Sequence, residues 1–157
     1  FRKKMSIEEN LKKLSITLPA APNPVGAYAA YRQSENLVFI SGQISLRSNG
    51  DLIKGKLGLD LTLEEGREAA EICAINILSQ IKSACNGDLN RVKSCVKITG
   101  FVNSNDKFID QPKVINGASE ILVKILEEKG RHSRAAISVN SLPLGAAVEI
   151  EAIFEVN

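Results

Sequence analysis

Tryptophan is absent from the 157 residues, tyrosine occurs twice, histidine once and cysteine three times. So few aromatic rings argue against a surface on which the bases of a single strand stack, because such surfaces need several exposed rings. One histidine cannot furnish a two-histidine ribonuclease site. Cys73, Cys85 and Cys95 are odd in number and lack any CxxC or CxH spacing, which disfavours a metal site or a disulfide framework. Cys73 and Cys95 stand in apolar segments and read as small buried hydrophobes. The one charge-free stretch of 18 residues, 14–31, is broken by three prolines, so no membrane-spanning helix is expected. The net charge of +2 is too small to call for a nucleic-acid or membrane partner. Lys54-Gly55-Lys56-Leu57-Gly58 is glycine-rich but lacks the GxxxxGK[ST] spacing of a phosphate-binding loop. The opening FRKKMSIEENLKKL is basic without an apolar core, so no signal peptide is expected. Met5 reads as a natural start, residues 1–5 as an unstructured or extraneous beginning, and the cytoplasm as the compartment.

What is present fits a globular chain: 44% of residues are hydrophobic and 24% charged, enough apolar material for one core. With no linker, repeat or low-complexity tract, residues 1–157 read as one domain. Ser6-x-x-Glu9 is a capping box for a short helix over 6–16. The prolines of TLPAAPNPVGAY exclude regular structure before a hairpin of residues 27–33 and 36–45, with Ser34-Glu35 as its link. The contiguous Val38, Phe39 and Ile40 suit a strand covered on both faces. Thr62-x-x-Glu65 caps a long helix over 62–84, with Ala69, Ile72, Cys73, Ile75, Ile77, Leu78 and Ile81 as its apolar face. Residues 91–102 alternate as a strand, with Val92, Ser94, Val96, Ile98 and Gly100 on one side. A second long helix is expected over 111–128 around Val114, Ala118, Ile121, Leu122 and Ile125, ended by Gly130. Strands over 134–140 and 147–156 close the chain.

This order predicts an α+β fold: a mixed sheet with two long helices packed on one face. In the last strand Val148, Ile150, Ala152, Phe154 and Val156 should meet the helices. Glu149, Glu151, Ile153 and Glu155 fall on the opposite face. That mixture of apolar and acidic groups suits a subunit interface enclosing a wet site.

Few side chains present themselves for chemistry. His132, between a helix end and a strand start, reads most simply as a local structural group near a helix C-terminus. Arg134 begins a strand of small residues, Ala135 and Ala136, which leave room beside a guanidinium able to grip a carboxylate bidentately. It also reads as an ordinary solvated arginine. Glu149 and Glu151 are either surface carboxylates or, in a cleft near Arg134, groups that hold and polarise a water. Ser41-Gly42-Gln43 ends a strand, where Gly42 is also compatible with a simple bulge. Asn116 and Tyr28 complete the set.

The segments PVGAY (24–28), LVFISGQI (37–44), VKITGFVN (96–103), VINGASEIL (114–122) and RAAISVNSLPLGAAVEIEAIF (134–154) resemble, in order and spacing, the reactive intermediate deaminase (Rid, YjgF-like) family. The resemblance spans nearly the whole chain. The N-terminal helix and the FxxQPxVxNGAS segment (Phe108 to Ser119) are similar to the longer branch of that family, of about 150 residues. It implies a chorismate-mutase-like fold and a homotrimer whose inner sheet faces form a barrel, with three clefts between subunits. It implies hydrolysis of enamine and imine intermediates, of the 2-aminoacrylate and 2-iminobutyrate type, to 2-keto acids and ammonia, with no cofactor and no metal.

By motif, the resemblance assigns the substrate carboxylate to Arg134 and the hydrolytic water to Glu149. Tyr28, Ser41, Gly42 and Asn116 become cleft residues, and Ala136 offers a backbone contact to the ligand. Two departures bear on substrate fit: Ala27 stands where the shorter branch has proline, and Ala135 where a serine is usual. The rival expectations are a trimer that binds carboxylate metabolites without turnover, and an endoribonuclease or translation inhibitor, which the modest charge and scarce aromatics disfavour.

Overall fold

The computed structural model describes residues 3–157, so residues 1 and 2, part of the expected unstructured start, lie outside it. Ser6 caps α1 (Ile7–Lys13) through a reciprocal capping box with Glu9. The helix stops three residues short of the expected 16, because Ser15 adopts a left-handed backbone and the chain turns away. Asn10 ties α1 to the rest of the protein by donating to the Ile125 carbonyl at 3.0 Å.

The hairpin is β1 (Tyr31–Ser34) and β2 (Leu37–Ile44). It differs from expectation at both ends. Residues 27–30 are irregular, and the two-residue link is Glu35-Asn36, since Ser34 pairs with Leu37 and Glu35 takes the positive φ. Next come α2 (Leu63–Ala84), β3 (Val92–Asn103), α3 (Gln111–Leu126), β4 (Ser133–Val139) and β5 (Val148–Val156). Thr62 and Glu65 exchange the two hydrogen bonds of a capping box, which fixes where α2 starts. The expected end of the second long helix at 128 is corrected: Glu127 has φ 55 and the chain tightens into a 3-10 turn over Glu127–Gly130.

The sheet has the order β1-β2-β5-β3-β4. Its pairs are antiparallel except β3 with β4, so the sheet is mixed. β2 and β3 both run against β5, and α2 crosses from one to the other. α3 makes the equivalent crossing between the parallel neighbours β3 and β4. Both helices lie on one face, α2 over β2 and β5, α3 over β3 and β4. Ile77, Leu78, Ile98, Leu122, Ile125, Ile150 and Phe154 are fully buried between the layers, each stabilising the fold by roughly 1.5–3 kcal/mol relative to exposure. The helices cross closely at Gly117, where a Cβ would stand 2.2 Å from the Arg67 carbonyl oxygen. That contact is open only to glycine.

β5 alternates as its sequence demands: Val148, Ile150, Ala152, Phe154 and Val156 are buried, and the glutamates turn outward. β3 does not. Register shifts near Lys93 and Val96 each insert a residue against β5, so buried positions recur as Val92, Cys95 and Ile98. Cys95 therefore joins the core and Val96, expected inward, is 39% exposed. Among the described residues, no helix of the chain covers the second face of the sheet. Phe39 is 44% and Ile137 46% exposed there, so the VFI run is not covered on both sides by its own chain.

Candidate functional site

The side chains singled out in the sequence separate into two groups. Tyr28, Ser41, Gly42 and Glu149 line one cavity of about 450 Å³, walled by Pro22, Pro24, Val25, Leu46 and Leu144. Several constraints shape it. β2 is irregular between Ile40 and Gln43, which is the bulge anticipated at Gly42. The missing side chain also has a use: a Cβ on Gly42 would lie 2.9 Å from the Glu149 carboxyl carbon. Glycine thus leaves the space the carboxylate occupies.

Ser41 donates to the Ala29 carbonyl at 2.7 Å, and its backbone N–H to the Ala30 carbonyl at 3.0 Å. These bonds pin the loop that carries Tyr28 against β2. Gly26, at φ 140, lets the Tyr28 ring fold back to within 3.3 Å of where a Cβ would be, and the ring remains 54% exposed. Gln80, almost fully buried on α2, donates to the Pro22 carbonyl at 2.7 Å. Asn76 donates to the carbonyls of Ile44 and Leu46. A polar Asn and Gln set into the apolar face of α2 are the sequence signal for these two supports, which the periodicity of that face alone does not reveal.

Glu149 is half-buried, and burial is the larger cause that raises its carboxyl above the ordinary 4.5, followed by the charge of Glu151. A carboxylate held in this way is a better proton acceptor than one in water. Burial also raises Cys73, which lies beneath and donates from Sγ to the Val148 carbonyl at 3.4 Å; at 0% exposure it is no nucleophile.

Arg134, Asn116 and Ala136 belong to the other group, at the β4 edge. Arg134 Nη1 donates to Ser119 Oγ at 3.0 Å and Nη2 to the Pro112 carbonyl at 3.2 Å. Pro112, Asn116 and Ser119 recur at i, i+4 and i+7, one face of α3, so the guanidinium lies along that face beside Asn116. Ala136 pairs with Gly100 of β3. As alternation along β4 requires, Ser138 shares Arg134's side and hydrogen-bonds Gln111 of α3.

His132 is more engaged than its sequence position suggests. Its Nδ1 lies 2.6 Å from the Gly130 carbonyl and its Nε2 2.8 Å from Ser119 Oγ. Burial is the larger cause that lowers its pKa below the ordinary value; the Gly130 bond opposes this and the Arg134 charge adds to it.

One chain does not bring Arg134 to Glu149. Across the sheet Glu149 stands beside Phe101, and Phe101 beside Ile137, so Glu149 projects from the face opposite to Arg134. Two strand spacings and three residues separate their backbones by roughly 14 Å. The room beside the small residues after Arg134 therefore does not lead to Glu149 of the same chain. Among the described residues no cluster of three or more His, Cys, Asp or Glu side chains is placed to hold a metal ion. No helix there is long and apolar enough to cross a membrane.

Residues 8–155 match the family model described as "YjgF/chorismate_mutase-like, putative endoribonuclease". Over 152 residues the chain is 44% identical to Protein TCP17 of Trypanosoma cruzi, covering 96% of this chain and 94% of that protein. It is 31% identical over 139 residues to the 2-iminobutanoate/2-iminopropanoate deaminase of Mus musculus, covering 88% and 87% respectively. The crystal structure of protein Atu1372 from Agrobacterium tumefaciens, of unknown function, is 44% identical. It superposes with a TM-score of 0.88 over 96% of this chain and 94% of that one.

Proposed function

The chain belongs to the YjgF/chorismate-mutase-like family, and from that premise we propose that it hydrolyses 2-imino acids to 2-oxo acids and ammonia in clefts between the subunits of a homotrimer. The observation that carries this reading is Glu149: a half-buried carboxylate with a raised pKa, fitted against Gly42 in a cavity shared with Tyr28. The mouse relative that bears a deaminase name supports it.

Arg134 of one subunit grips the substrate carboxylate, with Asn116 and the Ala136 backbone beside it, and Glu149 of a neighbour faces the imine carbon. The uncovered sheet face, with Phe39 and Ile137 exposed, is the surface the copies share. A water bonded to Glu149 adds to the C=N carbon, and the new C–O bond forms as its proton passes to the carboxylate. Glu149 returns that proton to the nitrogen to complete the carbinolamine, then takes the hydroxyl proton and passes it to the amine as the C–N bond breaks, so the keto group forms and ammonia leaves. Free imines already hydrolyse, so an oriented general base that contributes about 10²–10⁴-fold is sufficient.

The endoribonuclease reading is weaker. The sole histidine is committed at both ring nitrogens to the protein's own groups, which leaves no free imidazole for a ribose 2′-hydroxyl. A trimer that only binds carboxylates would use Arg134 and leave Glu149 idle.

The test supplies imine from a pyridoxal-phosphate-dependent threonine or serine dehydratase and follows keto-acid release. The wild type is expected to exceed the spontaneous rate. Arg134→Ala should lose about 10–100-fold in kcat/KM, the worth of a charge-assisted pair. A wild type no faster than the buffer, or an Arg134→Ala protein as fast as the wild type, defeats the proposal.

A further inference from the structure

We propose that Ser119 and His132 are positioning residues that hold the Arg134 guanidinium in the orientation that receives a carboxylate. The inference rests on Arg134 being the carboxylate anchor, and it concerns what fixes that anchor in place.

With His132 neutral, the hydrogen bonds leave one consistent set of protons. The Gly130 carbonyl only accepts, so the His132 Nδ1 at 2.6 Å carries hydrogen and donates. In the neutral ring Nε2 is then an acceptor. Ser119 Oγ has one proton and two lone pairs. Arg134 Nη1 donates into a lone pair at 3.0 Å, and the serine proton points to His132 Nε2 at 2.8 Å. Every partner of the chain Arg134, Ser119, His132, Gly130 thus has one role, fixed at its far end by a backbone carbonyl. The lowered pKa of His132 agrees with a neutral ring.

A second restraint comes from Nη2, which donates to the Pro112 carbonyl at 3.2 Å. With Nη1 and Nη2 both held, the plane of the fork is set. Two of its five N–H groups are used and three remain for a ligand. A free arginine gives up much of its rotamer entropy when it is immobilised. An anchor already immobilised by α3 and β4 does not lose this again when a carboxylate arrives. Ser119 lies on α3 and His132 13 residues later in the link before β4, and the fold brings them to one arginine.

The experiment measures binding of 2-oxobutanoate by calorimetry in the full-length protein, with KM and kcat for dehydratase-generated imine alongside. Ser119→Ala and His132→Phe should each raise Kd and KM about tenfold, part of the freedom restored to the arginine, with kcat within about twofold. Ser119→Thr, which keeps the hydroxyl, should bind close to the wild type. In an Arg134→Ala background neither substitution should weaken binding further, as expected of residues that act through the arginine.

Loss of thermal stability in Ser119→Ala with unchanged Kd and KM overturns the proposal, as does an equal loss of affinity with and without Arg134. Failure of the deaminase reading looks different: 2-oxobutanoate binds, Ser119 and Arg134 remain coupled, and no imine is turned over. If Arg134→Ala binds 2-oxobutanoate as well as the wild type, the anchor and its positioning fall together.

Discussion

Replacing Gly117 by alanine sets two well-characterised effects against each other. In an isolated helix the exchange favours the folded form by about 1 kcal/mol, because glycine is the poorer helix former. In this protein the added methyl would meet the Arg67 carbonyl oxygen at 2.2 Å, its carbon at 2.9 Å and Arg67 Cα at 3.0 Å. Those atoms are backbone of α2, so no side chain can swing aside. The helices must part by about 1 Å to restore ordinary contact distances. Overpacking of this kind costs about 1–3 kcal/mol, and with rigid main chain on both sides the upper half of that range applies. The net expectation is a destabilisation of roughly 1–2 kcal/mol, a fall of about 2–8 °C in thermal midpoint for a chain of this length. Calorimetry on wild type and Gly117→Ala decides the matter, and urea unfolding with an unchanged m-value shows that the denatured state is not responsible. A variant equal to or more stable than the wild type would refute the reasoning, because helix propensity would then have won. Ser119 sits two residues further along α3, so the same variant should also weaken 2-oxobutanoate binding.

The raised Glu149 carboxyl makes stability depend on pH in a definite sense. Its unfolded value is the ordinary 4.5 and its folded value is higher. Between the two the folded form binds more protons, so the contribution is fully present below about 4.5 and is lost as the pH rises through the folded value. Glu149→Gln should therefore gain thermal midpoint relative to wild type near neutrality and lose that advantage below pH 4.5, while imine turnover falls about 10²-fold or more. The opposite slope would mean that a cation reaches this carboxylate in the assembled protein. Phe39→Lys, on the uncovered sheet face, should convert a species of three chains in multi-angle light scattering to smaller ones, with secondary structure retained. A wild type that is already monomeric at micromolar concentration removes the intersubunit cleft.

How far the sequence revealed these features depended on how local their causes are. The capping boxes at Ser6 and Thr62 need only four residues, and α1 and α2 begin where those residues stand. The alternation of β5 is uninterrupted, so its buried and outward faces follow directly. β3 failed because its two irregularities are defined only against β5, more than fifty residues away. Nothing in VKSCVKI announces that Cys95 and Val96 trade places. The hairpin slipped by one residue because the left-handed position fell on Glu35, a residue type that does not advertise it. At the site, motif resemblance picked out Tyr28, Ser41, Gly42, Asn116, Arg134, Ala136 and Glu149 one by one. It was silent on which of them one chain brings together, and a tautomer set by the Gly130 carbonyl has no signature in residue order. Residue order alone therefore marks His132 as local structure, and only the fold joins it through Ser119 to Arg134.

The three cysteines gain a use from where they are buried. Cys73 lies in the middle of α2 against the sheet, Cys85 caps the C-terminal end of that helix, and Cys95 sits at the β3 irregularity. All three are at most 1% exposed. Burial raises each thiol, Cys95 to about 12, so a thiol-reactive dye finds neither an accessible sulfur nor an appreciable thiolate in the closed molecule. Each labelling rate becomes a clock for one opening event: unravelling of a helix end at Cys85, separation of the irregular strand at Cys95, and loss of the interface between helix and sheet at Cys73. The native chain thus carries three timers of its own breathing, with no cysteine introduced.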